Sequence, residues 1–365
     1  MTQSAYSDQT QAGGGQWKGE FLLCPHSWSP MRRILRAAAT GVAAALALTA
    51  CASTTSAPTA GPSTAAAAPT SEPTAPAEVS TAAYVDVTTA HDPLAQVADE
   101  TGLDDVVLAF VLADAGQCRP SWGGQTAVDD PTLAAQLADL RAADADVIVA
   151  SGGASGGYLE NACSDAESLA DAYAQVLDAT GSDHLEVDVE QPIPTATVLD
   201  ALARLHDERG TDITLTLPVA SATQGLTDDA VALLQAAADK GLDVSVNAMT
   251  MNFPGSGSWA DSMTAATDRV AAQLSEAWPQ LDATAARSRL GLTFMIGRND
   301  TGPVTTLADA TTLAEYAAGG GVASIAYWSL GRDNGGCPDD ATAQPTCSGI
   351  AQDDYAFARA VTAAA

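Results

Sequence analysis

Eight short apolar runs alternating with eight helix-patterned segments predict a (β/α)8 barrel over residues 82–365. Two further observations agree. The runs are continuous stretches of Val, Leu, Ile and Ala, as parallel strands covered on both faces read, and no second domain pattern interrupts the alternation. A doubly wound sheet seldom needs eight equal units.

In chain order, the first unit pairs an apolar run at 83–88 with a helical period at 94–100, and the second pairs 106–112 with 133–142. Runs at 146–150 and 185–190 precede helices at 166–179 and 197–208. Those at 213–218 and 244–251 precede 228–240 and 259–278, and those at 290–296 and 323–329 precede 307–317 and 353–363.

The fourth run departs from the others. Alternate strand residues share a face at about 6 to 7 Å per step, so Glu186, Asp188 and Glu190 lie together, with Leu185, Val187 and Val189 opposite. An acidic chain produces such rows on half-exposed strands by accident. Here the neighbouring strands read as covered on both faces, so a carboxylate row asks for a wet cavity. Glu190 also falls at the C-terminal end of the fourth strand, the barrel end where active sites are built.

Acidic residues number 45 against 15 basic, a net charge of −30, which makes nucleic acid a poor partner and leaves a neutral polysaccharide compatible. Residues 31–36 form a basic n-region and 37–48 an apolar h-region too short to span a bilayer comfortably. Leu48-Thr49-Ala50-Cys51 resembles the lipobox of bacterial lipoproteins, in which the cysteine is lipidated. The expectation is a secreted protein held on the outer face of the cell membrane by a lipid on Cys51 alone. Residues 1–30 are expected to be a mis-assigned extension, with Met31 the true start, and the Ala/Pro/Thr/Ser-rich residues 52–80 a disordered tether reaching some 30 Å.

Cys118, Cys163, Cys337 and Cys347 allow three pairings in an oxidising compartment. Cys118 follows the second strand and Cys163 the third, whereas Cys337 and Cys347 share the loop after the eighth. The pairing 118–163 with 337–347 therefore needs no long reach. His91, His184 and His206 show no ligand spacing beside these cysteines, so no metal is expected, and no cofactor either.

The pattern Asp183-x-x-Glu186-x-Asp188-x-Glu190 resembles the Asp-x-x-Asp-x-Asp-x-Glu signature of glycoside hydrolase family 18, the chitinases and their relatives, with Glu in place of the second Asp. Segments 147–153, 246–253, 293–300 and 327–333 also resemble that family and follow in its order. The resemblance implies cleavage of β-1,4-linked N-acetylglucosamine polymers such as chitin by substrate-assisted, retaining hydrolysis. Glu190 is then the general acid, Asp188 orients the substrate N-acetyl group, Glu186 supports Asp188 from below, and Asp183 supports the motif. Trp328 resembles the family tryptophan on which the sugar stacks. Asn252, Met249, Met251 and the loop residue Trp122 complete the expected glycan contacts, and Trp259 is a second loop aromatic of the same kind. The chain departs from the family at Asn252, where an Asp is usual, and at Ala150, where the strand-three Gly-Gly motif usually carries Ser. The alternative is therefore a weak or inactive glycan-binding protein of the same fold. A monomer is expected.

Overall fold

All eight apolar runs form parallel strands: β1 (Ser80–Asp86), β2 (Asp105–Ala113), β3 (Asp146–Gly152), β4 (His184–Asp188), β5 (Asp212–Ser221), β6 (Ser245–Met249), β7 (Leu290–Met295) and β8 (Ser324–Trp328). Each pairs in parallel with the next, and β1 closes the ring on β8 through Ser80 opposite Ser324 to Ala83 opposite Tyr327. The computed structural model describes residues 79–365, apart from Ala90, Asp144 and Asp339. The expected extension, signal peptide, Cys51 and nearly all of the tether lie outside the described residues. No helix among the described residues is long and apolar enough to cross a membrane.

Eight helices follow the strands: α1 (Leu94–Thr101), α2 (Pro131–Ala142), α3 (Ala166–Thr180), α4 (Thr195–Arg209), α5 (Asp228–Lys240), α6 (Trp259–Ala277), α7 (Leu307–Gly320) and α8 (Ala356–Thr362). Local chemistry sets their ends. Asp165 caps α3 by accepting from the Ser168 N–H while the Ser168 hydroxyl faces back toward Asp165, and Asp130 caps α2 through the Thr132 and Leu133 N–H groups. Gly181 stops α3 with a φ of 67°, a left-handed turn that costs glycine little, and directs the chain into β4. The last helix starts at Ala356, three residues later than its period suggests. Buried Asp333 accepts from the Phe357 and Ala358 N–H groups and so defines the first turn there.

One large core lies between strands and helices, built from residues such as Val85, Leu108, Val149, Leu185, Val187, Leu215 and Leu292. The barrel interior divides into two halves. Ala82, Tyr84, Val107, Ala109, Ala150 and Ala326 pack together with Phe110 and Trp328, while β4 to β7 send in Glu186, Asp188, Thr214, Thr216, Asn247 and Thr293, all buried. Small alanines on one side and polar groups on the other leave room for a cavity at the C-terminal ends of the strands. Two disulfides brace the loops at that end: Cys118–Cys163 joins the connections after β2 and β3, and Cys337–Cys347 closes a loop after β8.

Candidate active site

The carboxylate row of β4 faces the barrel interior. Glu186 is 3% exposed and accepts a hydrogen bond from the Tyr84 hydroxyl, which in turn accepts from Asn247 Nδ2 at 2.9 Å. Burial pushes the Glu186 carboxyl up to about 7; the Tyr84 bond opposes this, as does the Thr216 hydroxyl, which is close but not in hydrogen-bonding geometry. Asp188, one step higher, is 4% exposed, and its Oδ1 has no partner among the described residues. Its carboxyl is held well above the usual carboxylate range, first by burial and then by the charges of Glu190 and Glu186.

Beyond Asp188 the strand ends, so Glu190 sits two residues outside β4 instead of on it. Its backbone is nonetheless well held. The Glu190 N–H donates to the Tyr158 hydroxyl at 2.9 Å, and that hydroxyl also lies 2.8 and 2.9 Å from the carbonyl oxygens of Gly153 and Asp188. The Gly153 N–H donates to the Asp188 carbonyl at 3.0 Å. Gly152, with a φ of 101°, allows this approach: a Cβ there would stand 2.1 Å from the Asp188 carbonyl oxygen. The Glu190 side chain is exposed, yet it stands against a concave wall. The water it loses there pushes its carboxyl up, and the neighbouring Asp300 adds to the effect.

Asp188 and Glu190 open onto a cavity of about 200 Å³ whose wall also includes Asp300, Trp328, Met249 and Met251. Trp328 stacks on Phe110 with ring centres 5.5 Å apart and planes 19° apart, and Tyr84 meets it edge-on at 6.0 Å. A wider cleft of about 660 Å³ shares Glu190 and Pro218 with this cavity, so the site continues along the top of the barrel.

Several expected residues behave differently from their sequence reading. Asp183 lies before β4 at the N-terminal end of the barrel, exposed and at the opposite end from the cavity, so it supports the motif only through its carbonyl, which accepts from the Asp212 N–H. Trp122 is 1% exposed in a short strand antiparallel to β2, and Trp259 is buried against Phe253 with its Nε1 donating to Thr305 Oγ1. Both tryptophans are core, because the hairpin and helix that carry them fold back onto the barrel. Asn252 lines the cavity, but its amide is committed. Nδ2 donates to Asp300 Oδ2 at 3.1 Å, and Oδ1 accepts from the Asp300 N–H at 2.9 Å and the Thr301 N–H at 3.3 Å. Its φ of 59° suits Asn, which tolerates the left-handed region. Glu186 makes no hydrogen bond to Asp188; its link to that residue is electrostatic.

Sequence reasoning missed Tyr84, Phe110, Tyr158, Asn247, Thr216 and Asp300. Tyr84 had a signal, as the lone aromatic in a strand otherwise of small and aliphatic residues ending in Asp86. Asn247 and Asp300 lie within segments already matched to the family, but neither drew attention to itself. A loop carboxylate in so acidic a chain carries no distinguishing mark. Cys337, Asp340 and Cys347 form the grouping with metal-ligand proximity among the described residues, but both sulfurs are spent in a disulfide.

No family profile matches the sequence. The chain is 27% identical over 303 residues to a probable bifunctional chitinase/lysozyme of Escherichia coli (strain K12), covering 76% of this chain and 33% of that protein. It is 27% identical over 277 residues to Endochitinase 11 of Metarhizium anisopliae, covering 69% and 52%. The chain thus spans between a third and about half of the length of these curated relatives. Among solved structures, active domain 2 of the thermostable chitinase from Pyrococcus furiosus, in catalytic-site mutants complexed with chito-oligosaccharides, superposes with a TM-score of 0.73 at 31% identity. That match covers 78% of this chain and 94% of the other. With that identity over nearly the whole of a chitinase domain, and the carboxylate motif on the inward face of its fourth strand, the chain belongs to the chitinase-like members of glycoside hydrolase family 18.

Proposed function

We propose that the barrel, from Ser80 onward, is a chitinase-like hydrolase of β-1,4-linked N-acetylglucosamine polymers, acting with retention through the substrate's own acetamido group. One observation carries the reading: an exposed Glu190 with an upward-shifted carboxyl shares a cavity with a buried Asp188 whose Oδ1 has no partner among the described residues. In this reading the free oxygen of Asp188 accepts the acetamido N–H and holds the acetamido carbonyl oxygen toward the anomeric carbon. That oxygen bonds to the anomeric carbon as the glycosidic bond breaks, and Glu190 gives its proton to the departing oxygen. Water, deprotonated by the Glu190 carboxylate, then opens the resulting oxazolinium ion. Trp328 offers the sugar an apolar floor, and the cleft beside Glu190 accommodates the rest of a polymer.

The test is the pair Glu190→Gln and Asp188→Asn on chito-oligosaccharides. Glu190→Gln is expected to lose roughly 10² to 10⁴ in turnover while still binding, and to lose less on a substrate with a good leaving group, which needs less protonation. Asp188→Asn is expected to slow both substrates, since each must form the cyclic intermediate. Binding by the wild type with no hydrolysis that Glu190→Gln abolishes overturns the reading in favour of a glycan-binding protein. Secretion, and anchoring of a monomer through Cys51 at the outer face of the membrane, belong to the same proposal and rest on the sequence pattern of residues 31–51.

A further inference from the structure

Arg332 is a charged residue only 1% exposed. It ends a short 3-10 turn after β8, and its Nη2 donates to the carbonyl oxygens of Ile296 and Arg298, at 3.1 and 2.7 Å, in the loop after β7. Its Nε and Nη1 have no partner among the described residues. Burying a guanidinium with two unpartnered nitrogens is costly, and chains keep such a group when an opposite charge acts on it. The carboxylate whose charge acts on it is Asp300, the residue two places beyond the second carbonyl, with no hydrogen bond between the two. Its charge works against the burial that draws Arg332 down to about 10.

The same loop is held from its other side by Asn252, whose amide both donates to the Asp300 carboxylate and accepts from the Asp300 N–H. The Ile296 N–H donates to the Trp328 carbonyl at 3.1 Å, which joins the ends of β7 and β8. Asp300 is thus fixed on the wall that Glu190 also lines. Around Glu190 the titratable groups are Asp188 on its own segment, Tyr158 from the loop after β3 and Asp300 from the loop after β7. Around Asp300 they are Glu190 and Arg332, with the neutral Asn252 amide from the loop after β6.

We propose that Arg332 is a positioning residue for this site: by gripping the carbonyls of residues 296 and 298 it holds the Asp300 carboxylate on the cavity wall that Glu190 also lines. The inference rests on the reading of Glu190 as general acid. Removing the grip lets Asp300 withdraw, Glu190 then loses its proton more easily, and the enzyme runs out of acid at lower pH.

The experiment measures kcat/KM against pH on a chito-oligosaccharide, together with Tm, for Asp300→Asn, Arg332→Met, Arg332→Lys and the double variant Asp300→Asn with Arg332→Met. Asp300→Asn is expected to move the alkaline limb to lower pH by roughly 1 unit. Arg332→Met is expected to move it the same way, and the double variant no further than Asp300→Asn alone. Arg332→Lys, which keeps the charge and reaches one carbonyl, is expected to show part of the shift, and it carries the test if the Met variant does not fold. A purely structural Arg332 lowers Tm and leaves the limb in place, and that result overturns the proposal. So does an unmoved limb in Asp300→Asn. Full turnover in Glu190→Gln instead overturns the reading of the site, whatever Arg332 does.

Discussion

Replacing Glu186 with Gln is expected to stabilise the protein at alkaline pH and to leave it nearly unchanged near pH 4.5. The folded carboxyl is pushed up to about 7 from an ordinary 4.5, chiefly by burial. A carboxyl raised in the folded state contributes stability that is fully present below 4.5 and is lost as pH rises through about 7. Carrying the ionised group above that range therefore costs on the order of 3 kcal/mol, since each pKa unit is worth about 1.36 kcal/mol. At 3% exposure little solvent screening reduces this figure. Gln removes the ionisation, and its Oε1 still accepts from the Tyr84 hydroxyl, so the network survives. At roughly 2 to 4 °C per kcal/mol in a domain of about this size, the variant is expected to melt some 6 to 12 °C above the wild type at pH 8.5. Thermal unfolding followed in steps from pH 4.5 to pH 8.5 tests this. A Tm difference that stays constant across the series, or one that favours the wild type at pH 8.5, refutes the reasoning.

Asn252→Asp follows the family pattern but, in this structure, gives up the donor to Asp300 and sets two carboxylates against each other. It is expected to lower turnover several-fold and to move the alkaline limb to higher pH, because added negative charge near Glu190 holds its proton; a rise in turnover would show that Asn252 is free for substrate. Cys51→Ala is expected to release the protein from the membrane fraction. Recovery of peptides from residues 2–30 in mature material would show that Met31 is not the start.

The strand and helix order was legible because hydrophobic period is a local property: all eight runs became strands, displaced by at most three residues at either end. The disulfide pairing was legible for a related reason, since loops after consecutive strands in a barrel must be neighbours. The carboxylate row was legible as a row. Alternation puts Glu186, Asp188 and Glu190 on one face, but it does not say which face points inward. That depended on the opposite set, Leu185 and Val187, finding the helix layer.

What tertiary structure alone decided are the contacts between strands far apart in sequence. Tyr84 reaches Glu186 across 102 residues and Asn247 reaches Tyr84 across 163. The roles of the loop residues were settled in the same way. Trp122 and Trp259 turned into the core, and Asn252 spent its amide on Asp300, although each reads in sequence as a free top-face side chain. The sequence by itself determined the alternation of elements and the chemical types in the motif, because both are carried by neighbours along the chain. Barrel closure determined which carboxylates lost water and which stayed wet, because burial and the shift of a carboxyl depend on every strand around the ring.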